Sequence, residues 1–195
     1  MLKFTIILAI LSFTNAATAP TEDSKDQLLL MILEAKNRAF NQIQTLKLLA
    51  ATDVEKFITR VNEMVETARS DMETLKNELG NINDTSCEKS KNNINDYALK
   101  TIAHFQSCVE KVTDSADADM NSLAFEGSLL TKEIQYTETI NKELLHKVTD
   151  FEAKSFQFAK YMQKLEKCET QSNLPRFKRQ ISETLTSYKR CLQDK

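Results

Sequence analysis

The sequence predicts an all-α protein: long amphipathic antiparallel helices forming an elongated coiled-coil-like bundle stapled by two disulfides. Three observations carry this. Among 195 residues there are only two Gly and two Pro, so the chain lacks the turn residues that a many-stranded sheet or an α/β fold consumes. Apolar residues recur in alternating steps of three and four over most of the length, which keeps them on one helical face. Cys87, Cys108, Cys168 and Cys191 are even in number and far apart, a pattern of two disulfides in an exported chain rather than the close ligand pairs of structural zinc.

Export is read from the N-terminus. Lys3 precedes the apolar run Phe4 to Phe13, and small residues follow to Ala19 before Pro20. A short positive end, an apolar stretch too brief to span a bilayer and a small-residue cleavage site make residues 1–16 a signal peptide, cut after Ala16. Residues 17–23 read as a disordered leader. Asn83-Asp84-Thr85 is an N-x-[ST] sequon in the most loop-like stretch, so Asn83 is expected to carry a glycan.

Ser24-Lys25-Asp26-Gln27 has the form of a capping box and starts a long N-terminal helix within residues 24–84. Its stripe runs Phe40, Ile43, Ala50, Val54, Phe57, Val61, Met64 and Ala68, with Leu46 filling the gap. Thr52-Asp53-Val54-Glu55 is a second capping pattern that would break the helix near Ala51; the absence of Gly and Pro there favours continuity. Gly80 and the Asn/Asp residues after it end the helix.

Residues 85–195 read as a four-cysteine helical hairpin plus a C-terminal helix. Thr85-Ser86-Cys87-Glu88 opens it, and the apolar stripe then runs from Ile94 to Leu165. A straight helix of that length would reach on the order of 120 Å, so the chain doubles back. Gly127, the only interior Gly, is the expected turn, with Asp114 to Asp119 as its rival. A last helix follows Pro175, which sits in a first turn where its missing N–H costs nothing, and carries Phe177, Ile181, Leu185, Tyr188 and Leu192. A turn at Gly127 brings Cys87 level with Cys168, and a last helix running back down then pairs Cys108 with Cys191. A turn at Asn92 to Asp96 would instead join Cys87 to Cys108.

The region Cys87 to Cys191, with CEKSKNNINDYALKTIAHFQSC at 87–108 and the later pair Cys168 and Cys191, resembles the TsetseEP-type domain of insect secreted proteins. That resemblance implies an exported protein of insect gut, haemolymph or related tissue with no established enzymatic activity. The glutamate-proline repeat tail of the founding member is missing here.

No nucleophile motif, phosphate loop or paired-histidine metal site occurs, so no catalytic residue, metal or cofactor is expected. His104 and His146 fall too far apart to act together, and the many Asp and Glu residues are dispersed as a solvated face. A net charge near −2 with both signs interleaved gives no reason to expect nucleic acid, and no stable membrane insertion is expected. Arg176-Phe177-Lys178-Arg179 has the form that secretory convertases cut, although a basic helical face with Phe177 packed inward is the favoured reading. The expected partner is an extracellular protein or glycan; the rival function is a carrier holding a small apolar molecule between helices. The N-terminal helix exceeds the arms of a hairpin turned at Gly127, leaving Leu28, Leu29, Leu30, Ile32 and Leu33 uncovered. Two outcomes follow: a homodimer through residues 24–68, or a fold-back at Ala51.

Overall fold

A computed structural model describes residues 22–80, 85–172 and 174–194. The expected signal peptide 1–16, residues 17–21 of the expected leader and the sequon Asn83 lie outside them; leader residues Glu22 and Asp23, expected to be disordered, belong instead to the first turn of the first helix, which starts ahead of the Ser24 capping pattern. The described chain is all helix: α1 (Glu22–Glu78), a 3-10 turn (Thr85–Cys87), α2 (Glu88–Tyr136), α3 (Lys142–Phe156), α4 (Ala159–Gln171) and α5 (Leu174–Gln193). No strand occurs among the described residues.

The helices make a three-armed bundle. With 57 residues α1 is about 85 Å long by helical rise. It packs on α2 and on the series α3, α4 and α5, which forms one return arm antiparallel to α2. Contacts fix the register of α1 against α2: Lys25 Nζ donates to Thr137 O at 2.6 Å, Lys47 pairs with Asp117 at 2.8 Å, Phe57 stacks on Phe105, and Lys91 pairs with Glu73 at 3.1 Å. Along the return arm, Lys147 pairs with Glu133, Lys154 with Glu126 and Lys160 with Asp119.

The core has a longer period than a heptad. Leu28, Ala39, Ala50, Val61 and Met72 are buried and recur every eleven residues, as do Ile94, Phe105, Ala116 and Gly127 on α2. An eleven-residue repeat has about 3.67 residues per turn, slightly more than a straight helix, so α1 and most of α2 have no cause to wind left-handedly as a heptad coiled coil would. The same register corrects the expected stripe at one end, because Ala39 is buried and Phe40 is 52% exposed. The return arm departs from this rule. Its buried side chains Ser155, Phe158 and Tyr161 follow in two successive steps of three, which demands local overwinding. The α3–α4 joint supplies it through backbone bonds of Gln157, Lys160 and Tyr161 to carbonyls three residues back. Ser155 Oγ also donates to Glu152 O at 2.6 Å, a back-bond that bends helices.

Gly127 is not a turn. α2 continues through it, as it does through Asn92 to Asp96 and Asp114 to Asp119. The chain reverses over residues 137–141, where Thr137 leaves the helix in an extended conformation and Asn141 caps α3 by accepting Leu144 N–H at 2.8 Å. Gly127 is a packing residue: a Cβ there would lie 2.7 Å from Cζ of the fully buried Phe151 and 3.1 Å from Cδ of Lys36. Gly127→Ala should therefore destabilise by about 1–2 kcal/mol, because overpacking outweighs the helix propensity gained. Denaturant unfolding reads this directly; a more stable variant would show that Phe151 yields without cost. Gly80, by contrast, does end its helix, with φ +89° in the left-handed region.

Moving the turn changes the disulfides. The bonds are Cys87–Cys191, with Cα atoms 6.1 Å apart, and Cys108–Cys168, at 5.7 Å. The expected pairs, Cys87 with Cys168 and Cys108 with Cys191, are corrected. A reversal at 137–141 sets Cys108 level with Cys168. α5 then continues in the direction of α4 instead of turning back, which carries Cys191 to Cys87 at the far end. The three arms consequently match in length, so α1 has no overhang: of the five residues expected to be uncovered, Leu28 and Ile32 are buried and Leu29 is partly buried, while Leu30 and Leu33 stay exposed. α1 is one unbroken helix through Ala51, so its inner face is covered without folding back.

Candidate functional site

The bundle has two unlike halves. Both disulfides lie in one, toward the start of α2 and the end of α5. The other half, around the turn at 137–141, holds every exposed large apolar side chain among the described residues except Leu99. Leu30, Leu33 and Phe40 lie on α1, and Phe125, Leu129 and Tyr136 on α2, each more than half exposed. Leu33, Lys36, Phe40 and Lys47 share a helical stripe by their spacing. Lys47 pairs with α2 and Lys36 reaches Gly127, so Leu33 and Phe40 sit on the flank of α1 that borders α2. Phe125, Leu129 and Tyr136 likewise share one outward face of α2, by steps of four and seven.

On the opposite flank of α1, Arg38 donates to the buried Ser155 Oγ at 2.8 Å, faces Glu152 at 3.7 Å and lies 4.0 Å over the Phe156 ring. Beside it a surface groove of about 400 Å³ is lined by Asn41, Gln42, Thr45, Ala159 and Met162. Gln42 Oε1 is buried there without a hydrogen-bond donor. A second groove, of about 450 Å³, runs between α1 and α2 beside Lys47 and Asp117.

The third groove lies between α2 and α4. His104, Ser107, Cys108, Lys111, Val112 and Ser115 form its α2 wall, and Lys164 faces them from α4. It encloses about 440 Å³ beside the Cys108–Cys168 bridge. Just beyond it, Tyr161 Oη donates to Asp119 Oδ2 at 2.5 Å, and Lys160 donates to the same oxygen at 3.0 Å. The Tyr161 bond first, and then Lys160, hold the Asp119 carboxyl below its usual range. Burial, reinforced by Asp119, pushes the Tyr161 hydroxyl up to about 12. This network is structural: it ties α4 to α2 at the overwound joint.

The residues singled out by sequence fall apart in space. The two histidines are separated by roughly 45 Å in projected helical rise; His104 is in the third groove, whereas His146 faces Asp150 at 3.4 Å on the exposed side of α3. Arg176, Lys178 and Arg179 occupy the first turns of α5, with Phe177 between them fully buried. Sequence reasoning missed Lys111 and Lys164, whose relation to His104 appears only once α4 is set beside α2. Among the described residues no group of three or more His, Cys, Asp or Glu could hold a metal, and no helix is long and apolar enough to cross a membrane. Compared with family models, curated proteins and solved structures, the chain matches none.

Proposed function

We propose that this is a secreted, non-enzymatic helical protein that binds an extracellular protein or glycan partner through the half of the bundle beyond its disulfides. The observation that carries this is the concentration of exposed Leu, Phe and Tyr around the 137–141 turn. A monomer has no folding reason to gather its solvent-facing apolar side chains at one end, and such patches mark contact sites. Two disulfides support an oxidising compartment, in keeping with a signal peptide at 1–16 and a glycan on Asn83. The resemblance of residues 87–191 to the TsetseEP-type domain supports an insect extracellular setting. A second copy of the chain is one protein partner consistent with this surface, since Leu30, Leu33 and Phe40 fall within residues 24–68.

The test compares the mature chain with a triple variant, Leu33→Glu, Phe40→Glu and Phe125→Glu, in sedimentation and in binding to extracellular fluid proteins and a glycan array. We expect one partner, self or foreign, that the parent binds and the variant loses at unchanged melting temperature. Equal binding by both chains overturns the proposal, and so does native mass spectrometry showing a co-purifying apolar ligand, the signature of a carrier.

A further inference from the structure

The groove between α2 and α4 has a composition unlike the rest of the surface. Three lysines of the return arm, Lys147, Lys154 and Lys160, meet carboxylates on α2. Lys111 and Lys164, on opposite walls of this groove, form no ion pair among the described residues, and no carboxylate lines it. Asp119, on α2 beyond the groove, is engaged by Lys160 and the Tyr161 hydroxyl. The Lys164 ammonium lies 4.7 Å from the Tyr161 ring centre, a ring that it shares with Lys160 at 5.0 Å. The Ser107 hydroxyl makes no hydrogen bond among the described residues, whereas Ser115 Oγ donates to Lys111 O at 2.7 Å. His104 also lines the groove.

Two cations facing each other across a gap repel unless something negative lies between them. Val112 and Cys108 also line the groove, and the Cys108–Cys168 bridge ties its two helices together beside the lysines. A tetrahedral oxyanion has enough acceptor oxygens to take bonds from both lysines and the Ser107 hydroxyl together, and charge-assisted bonds of this kind are the strong ones. The volume of about 440 Å³ leaves room for a sugar-sized group attached to it. We infer that this groove binds a sulfate ester or phosphate monoester on a small polar ligand, gripped between Lys111 and Lys164. The site is separate from the apolar surface of the proposed partner contact and stands whether or not that contact is made.

The test is an amide and side-chain NMR titration of the intact, disulfide-bonded chain at low ionic strength. The probes are inorganic sulfate, inorganic phosphate, glucose 6-sulfate, glucose 6-phosphate and glucose. We expect saturable shifts at residues 104, 107, 111 and 164 with the anionic probes and none with glucose; the ratio of sulfate to phosphate affinity identifies the preferred ester. Lys111→Gln should weaken binding about tenfold for its lost charge, with Lys164→Gln as the independent second variant. Lys178→Gln, on α5 away from the groove, should leave binding unchanged. Shifts that rise without saturation, that spread over lysines throughout the surface, or that persist unaltered in both groove variants overturn the inference and show only an ionic atmosphere.

Discussion

Phe57→Ala should lower the unfolding free energy by about 3–5 kcal/mol, the range for deleting a fully buried aromatic ring. Phe57 is 2% exposed and stacks on Phe105, with ring centroids 4.1 Å apart and planes at 15°. It lies near the middle of α1, where neither neighbouring turn nor loop can collapse into the cavity, and the straight helices on both sides resist moving inward. Leu48→Ala, at a position 69% exposed on the same helix, is the control and should change stability by less than about 0.5 kcal/mol. Denaturant unfolding with both disulfides intact measures each. A loss below about 1 kcal/mol at Phe57 would mean that α1 does not seat on α2 in this register.

Replacing Cys108 and Cys168 together by Ala should cost about 4 kcal/mol, from the entropy returned to the unfolded chain when a loop spanning 60 residues is opened. The outer bridge spans 104 residues, but it encloses the inner one. With Cys108–Cys168 in place, the outer bond closes only the remaining shorter loop, so its removal costs less than its span suggests. Losing both should cost more than either alone. Thermal unfolding of the three variants orders them. Proteolysis without reductant should release peptides joining Cys87 to Cys191 and Cys108 to Cys168; a peptide joining Cys87 to Cys168 would refute the position of the turn and with it the continuous return arm.

How much of this was legible beforehand depended on which residues carried two meanings. Gly80 and Pro175 mark a helix end and a helix beginning, as their backbone chemistry dictates, and the all-helical class followed from scarcity of turn residues. Gly127 misled because glycine serves both where a chain must bend and where a neighbour must come close, and only the position of Phe151 tells the two apart. The real turn had its own signal. The apolar stripe lapses between Ile134 and Leu144, and Asn141 is a good helix cap. The disulfide partners and the supposed overhang were then derived from the wrong reversal point, so one misread glycine displaced both. The eleven-residue interval was present in the sequence, since Leu28, Ala39, Ala50, Val61 and Met72 can be counted there, but the bulk of Phe40 hid it. The α2–α4 groove was not legible, because Lys111 and Lys164 become neighbours only through tertiary register.

Neither disulfide involves α1: Cys87, in the 3-10 turn, and Cys108, on α2, are bonded to the return arm, and apart from the main chain α1 is held among the described residues by packing and side-chain bonds. The stapled pair presents a complete seat for a helix of this pattern, and that seat is the same in every copy. Two molecules can trade their α1 helices without breaking a sulfur bond, each donating to the other the surface it loses. Such a swap would require 57 residues to lift off before they could be re-docked, so any exchange would be slow. The staples thus divide the chain into a fixed receptacle and an exchangeable insert.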